Sequence, residues 1–294
     1  MPNYRPITYR SLFVSDLHMG KWSGRSGGNS SITPLLHFIR DKHFEYIYLI
    51  GDIFDFWEMI VSLKWDKNYN VFLQKILRLS RRGAKVVYLL GNHDDCLAPL
   101  KGLDFGGITF EMETVHTTAQ GKSFWVTHGH FQDPLDRISR ILRKITYKTI
   151  ACFPFLSRKI AWLGFKTINL WVNLGQKTNR RTKDQEALLY RDRCIRKVNR
   201  KGYDGIICGH FHSPEITTMK KGKIYVNAGD SCSHFTVVTE NSKGNFKLHK
   251  LVWRRKRKIP KKINLLTCPS IQNTSHNKTS IILPLYRDIR DRRF

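Results

Sequence analysis

Five short polar motifs in the first part of the chain contain the residue types that bind divalent metal ions. They are Asp16-Leu17-His18, Gly51-Asp52, Gly91-Asn92-His93-Asp94, His128-Gly129 and Gly209-His210-Phe211-His212. Carboxylate, amide oxygen and imidazole groups in this number suit two ions that share one carboxylate. Any one of these motifs is weak support for a metal, but five in order are strong support. The sequence therefore predicts a two-metal site of the kind that hydrolyses phosphate esters.

Each motif directly follows a short apolar run of the kind that forms a buried strand. These runs are Ser11–Ser15, Tyr46–Ile50, Lys85–Leu90, Phe124–Thr127 and Asp204–Cys208. Helical periodicity lies between some of them, at Thr33–Lys42 and Val71–Arg82. Strands that alternate with helices predict an α/β fold in which sites form beyond the carboxyl ends of the strands. We therefore expect all five motifs to meet at one edge of a sheet.

The central position of Asp52 in the series makes it the best candidate for the shared carboxylate. We expect one metal site to be completed by Asp16, His18 and His212, and the other by Asn92, His128 and His210. Mixed imidazole and oxygen ligands suit manganese best among the candidates, with iron or zinc as alternatives. Such ions lower the pKa of a shared water, so a bridging hydroxide is the expected nucleophile.

His93 adjoins a predicted ligand without being an obvious ligand itself. We expect it to donate a proton to the leaving oxygen or to stabilise negative charge, with Asp94 orienting its ring. The alternative is that His93 is a structural residue beside the site.

The composition limits the classes of protein to which the chain can belong. A chain of 294 residues with 41% hydrophobic content can form a packed domain, and its net charge of +28 predicts attraction to polyanions. The six cysteines contain no CxxC pair, which favours a reducing compartment. No uncharged stretch is long enough to span a membrane, and no signal peptide is evident before the first motif. We expect a cytoplasmic protein.

Three regions of the chain differ in character. Residues 1–253 form the predicted catalytic domain, and within it residues 131–202 are a strongly basic insertion with helical spacing of apolar residues, predicted to be helical again from about Thr182. We expect this insertion to lie over the site as a lid. Residues 254–294 begin with the basic run Arg254–Lys258 and continue as a polar segment, which predicts a flexible basic tail.

The five motifs resemble the full set found in the calcineurin-like metallophosphoesterase superfamily, from about residue 11 to residue 240. The resemblance implies a four-layer α/β/β/α sandwich, and it implies that the seven ligands named above bind two metal ions.

A narrower resemblance is carried by Ser15-Asp16-Leu17-His18-Met19-Gly20, by the stretch from Gly51 to Trp57, and by the basic insertion. These features are similar to the UDP-2,3-diacylglucosamine pyrophosphatase family, whose members release UMP and 2,3-diacylglucosamine 1-phosphate in the lipid A pathway. His93 and His130 stand where that family tends to have Arg and Asp. The alternative substrate is therefore another phosphomonoester or phosphodiester, such as a nucleotide, a phosphoprotein or a nucleic acid.

The basic, aromatic-rich insertion also predicts a partner surface. Cationic and apolar residues together favour peripheral association with an anionic membrane, which the resemblance would make the inner membrane. An equal alternative is an insertion that packs its apolar side on the core. We expect no specific nucleic-acid binding, because no module for reading bases is evident and charge alone binds without sequence preference. The sequence predicts no oligomeric state.

Overall fold

The computed structural model describes residues 7–20, 32–56, 59, 65–134, 136 and 182–251. The chain divides into two units, Met1–Trp253 and Arg254–Phe294, and every described residue belongs to the first. Most of the predicted lid and all of the predicted tail lie outside the described residues. The domain boundaries given above therefore stay predictions.

The described elements alternate between strands and helices, as the sequence predicted. In chain order they are β1 (Ile7–Val14), α1 (Ile32–Ile39), β2 (Lys42–Ile50), α2 (Lys67–Arg81), β3 (Lys85–Leu89), β4 (Ile108–Glu111), β5 (Glu113–Thr117), β6 (Ser123–Thr127), α3 (Lys183–Lys201), β7 (Gly205–Cys208), β8 (Glu215–Thr218), β9 (Ile224–Asn227), β10 (Thr236–Glu240) and β11 (Phe246–Lys250). Short 3-10 turns occupy Asp95–Leu100, His130–Gln132 and Lys220–Gly222. All five predicted strands and both predicted helices are present, within a few residues of the predicted bounds.

Local side-chain chemistry sets the ends of the two longer helices. Asp66 begins α2 by accepting a hydrogen bond from the Asn68 amide at 2.8 Å. Thr182 and Gln185 form a reciprocal capping box at the start of α3, which ends at Gly202 with a left-handed φ of 78°. Among the described residues, no helix has both the length and the apolar character that crossing a bilayer requires.

The strands form two sheets. The first has the order β11-β10-β1-β2-β3-β4, with β1 to β4 parallel and β10 and β11 antiparallel to their neighbours. The second has the order β5-β6-β7-β9-β8, in which β6, β7 and β9 are parallel. The motif-bearing strands are therefore divided, with β1, β2 and β3 in one sheet and β6 and β7 in the other. The expectation that all five motifs share the edge of one sheet was wrong, because strand pairing across the sandwich leaves no trace in local periodicity.

Three apolar clusters show how the layers pack. Side chains alternate along β1, so that Phe13 faces the second sheet while Leu12 and Val14 face α1 and α2. The second sheet alternates in the same way, with Val126 of β6 inside the sandwich and Trp125 against α3. The order of layers is helices, sheet, sheet, helix. This α/β/β/α architecture is the one that the resemblance implied.

A buried carboxylate ties the two sheets together away from the motifs. Glu240 of β10 accepts hydrogen bonds from Ser11 Oγ of β1 at 2.8 Å and from the Ala119 amide at 2.8 Å, and it pairs with His116 Nε2 of β5 at 2.7 Å. The Tyr48 hydroxyl of β2 lies 3.0 Å from His116 Nδ1. Because the four side chains of this network are buried and bonded, the network stabilises one relative placement of the sheets.

Candidate metal centre

The carboxyl ends of the parallel strands bring the five motifs together. The loops after β1 and β2 are joined by hydrogen bonds from the Asp16 amide to the Gly51 carbonyl and from the His18 amide to the Asp52 carbonyl, at 3.1 and 2.9 Å. The two sheets are joined at the same end, where the His210 amide donates to Asp16 Oδ2 at 2.9 Å. The site is therefore assembled from both sheets.

The two central aspartates each have one oxygen held by the protein and the other directed at the histidines. Asp16 Oδ2 accepts from Ser15 Oγ and the His210 amide, while Oδ1 is buried with no hydrogen-bond donor among the described residues. Asp52 Oδ1 accepts from the His93 amide at 2.8 Å, and Oδ2 faces the imidazole rings. Asp16 Oδ1 and Asp52 Oδ2 are therefore the oxygens to which cations would bind.

The first predicted ligand set comes together within close contact distance. Asp16 Oδ1 lies 3.1 Å from His212 Nε2 and 3.7 Å from His18 Nε2. The two Nε2 atoms of His18 and His212 are 3.3 Å apart, and Asp52 Oδ2 lies 3.9 Å from His18 Nε2. Atoms that bind one ion at about 2.1 Å in tetrahedral or octahedral geometry lie roughly 3.0–3.4 Å apart. Two of these four distances fall in that range, and the two from His18 Nε2 to the Asp16 and Asp52 oxygens are longer by a few tenths of an ångström.

The second predicted ligand set has similar spacing. Asn92 Oδ1 lies 3.2 Å from His128 Nε2 and 3.1 Å from His210 Nδ1. Asp52 Oδ2 lies 3.3 Å from His128 Nε2. The same Asp52 oxygen therefore borders both sets, which is the position that a shared carboxylate requires.

Each of the four histidines has one ring nitrogen in the cluster and the other against an acceptor behind it. His128 Nδ1 lies 2.8 Å from the Ile50 carbonyl, and His210 Nε2 lies 3.1 Å from Asp133 Oδ2. His18 Nδ1 and His212 Nδ1 each lie 3.6 Å from a carboxylate oxygen, that of Asp55 and that of Asp230 respectively. The hydrogen-bond acceptors behind His128 and His210 fix the tautomer of each ring and direct the lone pair of the opposite nitrogen into the cluster, as in protein metal sites.

Backbone strain is concentrated in these ligands. Seven described residues other than glycine have positive φ, and five of them are predicted ligands: Asp16, His18, Asp52, His210 and His212. Left-handed φ is uncommon outside glycine and costs on the order of 1 kcal/mol or more per residue. Strain that coincides so closely with the predicted ligands indicates that the fold holds these side chains for a function.

Close approach of the loops depends on the absence of a side chain at Gly209. A Cβ there would collide with Ser15 Oγ and lie 2.5 Å from Asp16 Oδ2. The motif glycine thus allows the loop after β7 to reach the loop after β1. This requirement explains why glycine precedes the two histidines of the last motif.

The charges at the site strongly favour bound cations. Burial alone would lower the pKa of His18 and His128, but the neighbouring aspartates raise each pKa to about 10. Burial alone would raise the pKa of Asp52, but His128, His93 and His18 lower it well below its usual range. A site that holds protons this tightly is electrostatically negative inside a protein of net charge +28. Metal ions would bind the same nitrogens in place of these protons.

His93 lies beside the shared carboxylate, but its ring is oriented by a different aspartate from the one predicted. His93 Nδ1 lies 3.1 Å from Asp55 Oδ2, and His93 Nε2 lies 3.9 Å from Asp52 Oδ2. Asp94 is buried and directs its carboxylate to the Gly91 amide, the Ile53 amide and the Tyr88 hydroxyl. Asp94 therefore braces the loop, and the orienting contact belongs to Asp55.

Sequence analysis missed the carboxylates that stand behind the ligands: Asp55, Asp133 and Asp230. Asp55 follows Asp52 by three residues, and Asp133 follows His128 by five, so proximity in sequence was a usable clue for both. Asp230 ends the glycine loop after β9, far in sequence from His212. Only the pairing of β7 with β9 brings it to the site.

The donor set fits divalent metal ions. Three groups of acidic and imidazole side chains have ligand atoms within 4.8 Å of one another: Asp16 with His18 and His212, His18 with Asp52 and His93, and Asp52 with His128 and His210. The buried and unpartnered Asp16 Oδ1 and the Asp52 oxygen between the two sets are aimed into the cluster. Cysteine takes no part in these groups, so they differ from the usual structural zinc site.

Comparison with known protein families agrees with this geometry. Residues 9–214 match the family described as calcineurin-like phosphoesterase, which is well over half of the chain. The chain belongs to the calcineurin-like phosphoesterase family. As a member, it is a hydrolase of the metal-dependent phosphoesterase class, and divalent metal ions are its implied cofactors.

Curated relatives and solved structures give a second comparison. The UDP-2,3-diacylglucosamine hydrolase of Aliivibrio fischeri (strain MJ11) is 25% identical over 255 residues, covering 81% of this chain and 97% of the relative. The protein of the same name from Neisseria meningitidis serogroup B (strain ATCC BAA-335 / MC58) is 27% identical over 220 residues, covering 70% and 83%. A dimetal phosphatase from Danio rerio shares 11% identity at a TM-score of 0.42, over 84% of this chain and 100% of that one.

Proposed function

We propose that the protein is a dinuclear metallophosphohydrolase that cleaves the pyrophosphate of UDP-2,3-diacylglucosamine to UMP and 2,3-diacylglucosamine 1-phosphate. The observation that carries the proposal is the shared position of Asp52 Oδ2, 3.3 Å from His128 Nε2 and 3.9 Å from His18 Nε2. One ion would be held by Asp16, His18, His212 and Asp52, and the other by Asp52, Asn92, His128 and His210. When bound, two such ions lower the pKa of a shared water and neutralise charge on the phosphate oxygens.

His93 is the residue that would handle the proton of the leaving group. Partial burial alone would lower its pKa, but the charges of Asp52 and Asp55 raise it, so the imidazolium form is favoured. Asp55 holds Nδ1 at 3.1 Å, which leaves the proton on Nε2 to face the reacting centre. A proton at this atom would be given to the departing oxygen or would stabilise its charge.

The choice of substrate is supported by the relatives. The two curated relatives described above carry the name of this hydrolase, and the alignment with the first extends over nearly its whole length. The nucleotide-linked diacyl sugar combines an anionic head with an apolar tail. The basic and aromatic composition of residues 131–202, the proposed lid, suits both parts.

A second candidate is hydrolysis of another phosphomonoester or phosphodiester by the same centre. It is favoured by His93 and His130, which stand at positions where the pyrophosphatase family tends to have Arg and Asp. His130 is buried, and its ring packs against that of Phe131 in a tilted arrangement, with ring centroids 4.0 Å apart. This side chain is therefore engaged in packing.

We also propose manganese as the metal, and the anionic cytoplasmic surface of the inner membrane as the place of action. Mixed oxygen and imidazole ligands suit manganese, although iron and zinc bind the same types. The net charge of +28 supports attraction to anionic lipid, at roughly 1 kcal/mol per basic residue near the surface. Reconstitution of the metal-free protein with each metal in turn would identify the active one.

The deciding experiment is hydrolysis of UDP-2,3-diacylglucosamine by the manganese-loaded protein in detergent. UMP release that disappears in Asp52→Asn, and persists in the surface variant Asp41→Asn, is the expected result. Reaction in ¹⁸O-labelled water shows by mass spectrometry which phosphorus is attacked. Absence of UMP together with rapid cleavage of bis-p-nitrophenyl phosphate would refute the lipid substrate and favour the second candidate.

A further inference from the structure

Helix α3 has a basic side that the metal centre does not use. Its apolar side, with Tyr190, Cys194 and Val198, is buried against the second sheet. Arg193, Arg196 and Arg200 follow one another at spacings of three and four residues. Residues at these spacings lie on one side of a helix, so three guanidinium groups share the side that faces away from the core.

This basic side forms one wall of a cavity of about 720 Å³. The opposite wall is made by residues 131–134, which directly follow the His128 motif. The two walls are kept close at Gly129, where an added Cβ would collide with the Tyr190 hydroxyl of α3. The cavity is therefore built from the same loop that positions a predicted metal ligand.

Arg193, which lines the cavity, offers a hydrogen-bond donor to an anion. Its Nε is buried and has no hydrogen-bond partner among the described residues. Buried polar donors are nearly always satisfied, and an unsatisfied donor on a charged group is costly. Guanidinium groups bind phosphate oxygens through two parallel hydrogen bonds, so phosphate is the ligand that fits this wall best.

The cavity adjoins the metal centre through one imidazole ring. Asp133 lines the cavity, and its Oδ2 lies 3.1 Å from His210 Nε2. The other nitrogen of that ring, His210 Nδ1, lies 3.1 Å from Asn92 Oδ1 within the second ligand set. Asp133 therefore belongs to the wall of the cavity and also contacts a predicted metal ligand. With three guanidinium groups against one carboxylate, the cavity remains attractive to anions.

We propose that this cavity is an anionic subsite that binds a second phosphoryl group of the substrate, beside the one at the metals. The proposal rests on the proposed phosphohydrolase function and deepens it. Phe131, with 46% of its surface exposed at the cavity, offers a flat apolar face to the organic group that bears the phosphate. The ligand class is a phosphate monoester or diphosphate ester, carried by either a nucleoside or a sugar.

Calorimetry on the metal-free protein tests the subsite without any catalysis. UMP and glucose 1-phosphate are titrated into protein kept in EDTA, so that the two sources of phosphate are compared. We expect the ligand that binds more tightly to bind roughly tenfold more weakly to the double variant Arg196→Gln/Arg200→Gln than to the unaltered protein. It should also bind more weakly to Arg193→Lys, which keeps the positive charge but cannot donate two parallel hydrogen bonds to a phosphate. The matched control is Arg78→Gln/Arg81→Gln on α2, which removes two exposed arginines elsewhere and should bind as the unaltered protein does.

Equal affinities in all variants, or an equal loss in the α2 control, would overturn the subsite.

A kinetic ratio supplies a second test on the metal-loaded enzyme. The double variant should lower kcat/KM for the diphosphate substrate at least tenfold more than for bis-p-nitrophenyl phosphate, mainly through KM. If the unaltered enzyme cleaves neither compound, the proposed function fails while calorimetry still decides on the cavity.

Discussion

Asp52→Asn isolates the charge of the shared carboxylate from its structural contacts. The amide oxygen of asparagine can still accept from the His93 amide, which Asp52 Oδ1 binds at 2.8 Å. The substitution removes the negative charge from the Oδ2 position, 3.3 Å from His128 Nε2 and 3.9 Å from His18 Nε2. The fold is therefore retained while both metal positions lose the same ligand.

The expected loss can be worked from Coulomb's law. A unit charge about 4 Å from another contributes about 4 kcal/mol at an effective dielectric constant of ~20. A bound divalent ion would be closer and doubly charged, so this figure is a lower bound. Because about 1.4 kcal/mol corresponds to a factor of ten, at least one ion should bind ~1000-fold more weakly.

Metal content and activity are the measurements. We expect plasma mass spectrometry of the dialysed proteins to find two ions per chain in the unaltered protein and at most one in Asp52→Asn. Cleavage of bis-p-nitrophenyl phosphate should fall by a factor of roughly 1000 or more at limiting metal. Asp41→Asn, which removes one exposed carboxylate elsewhere, should match the unaltered protein in both assays. Thermal unfolding of both variants confirms that each is folded.

The reasoning would be refuted if Asp52→Asn retained two ions and more than about a tenth of the activity. The carboxylate could not then contribute several kcal/mol to the binding of both ions. Retention of two ions with lost activity would place Asp52 in catalysis instead.

Three other substitutions test the surroundings of the site and the contact between the sheets. Asp55→Asn should lower kcat by about tenfold to a hundredfold because His93 loses the partner that orients it, and it should weaken metal binding because the predicted ligand His18 loses the carboxylate behind Nδ1; steady-state kinetics at saturating metal, with metal titration, separates the two effects. Gly209→Ala should displace Asp16 and lower both the melting temperature and the metal content, whereas retention of both would contradict the close approach described. Glu240→Gln should lower the free energy of unfolding by about 1–3 kcal/mol at pH 7. Burial alone would raise the Glu240 pKa, but hydrogen bonds lower it below 4.5, so the difference from the unaltered protein should shrink as acid protonates the native carboxylate. A difference that does not change with pH in denaturant titrations would refute this.

The sequence alone determined the local elements and the inventory of ligands. Apolar runs before each motif identified β1, β2, β3, β6 and β7, because a buried strand needs continuous apolar character and a loop needs glycine or polar residues. The metal ligands were predicted from residue types, since divalent ions select carboxylate and imidazole groups. The structure brings the side chains of all seven predicted ligands close together, and their assignment to two metal ions stays a prediction.

Only the tertiary structure decided how the strands are divided between sheets and which carboxylates stand behind the ligands. Pairing between distant strands depends on packing in three dimensions, so local periodicity could not show that β6 and β7 belong to a second sheet. The same limit applies to the two aspartates beside His93: Asp94 adjoins it in sequence, whereas Asp55 lies on the loop after β2. The fold directs Asp94 toward the Gly91 and Ile53 amides and places Asp55 beside the His93 ring, and neither placement follows from residue type or spacing.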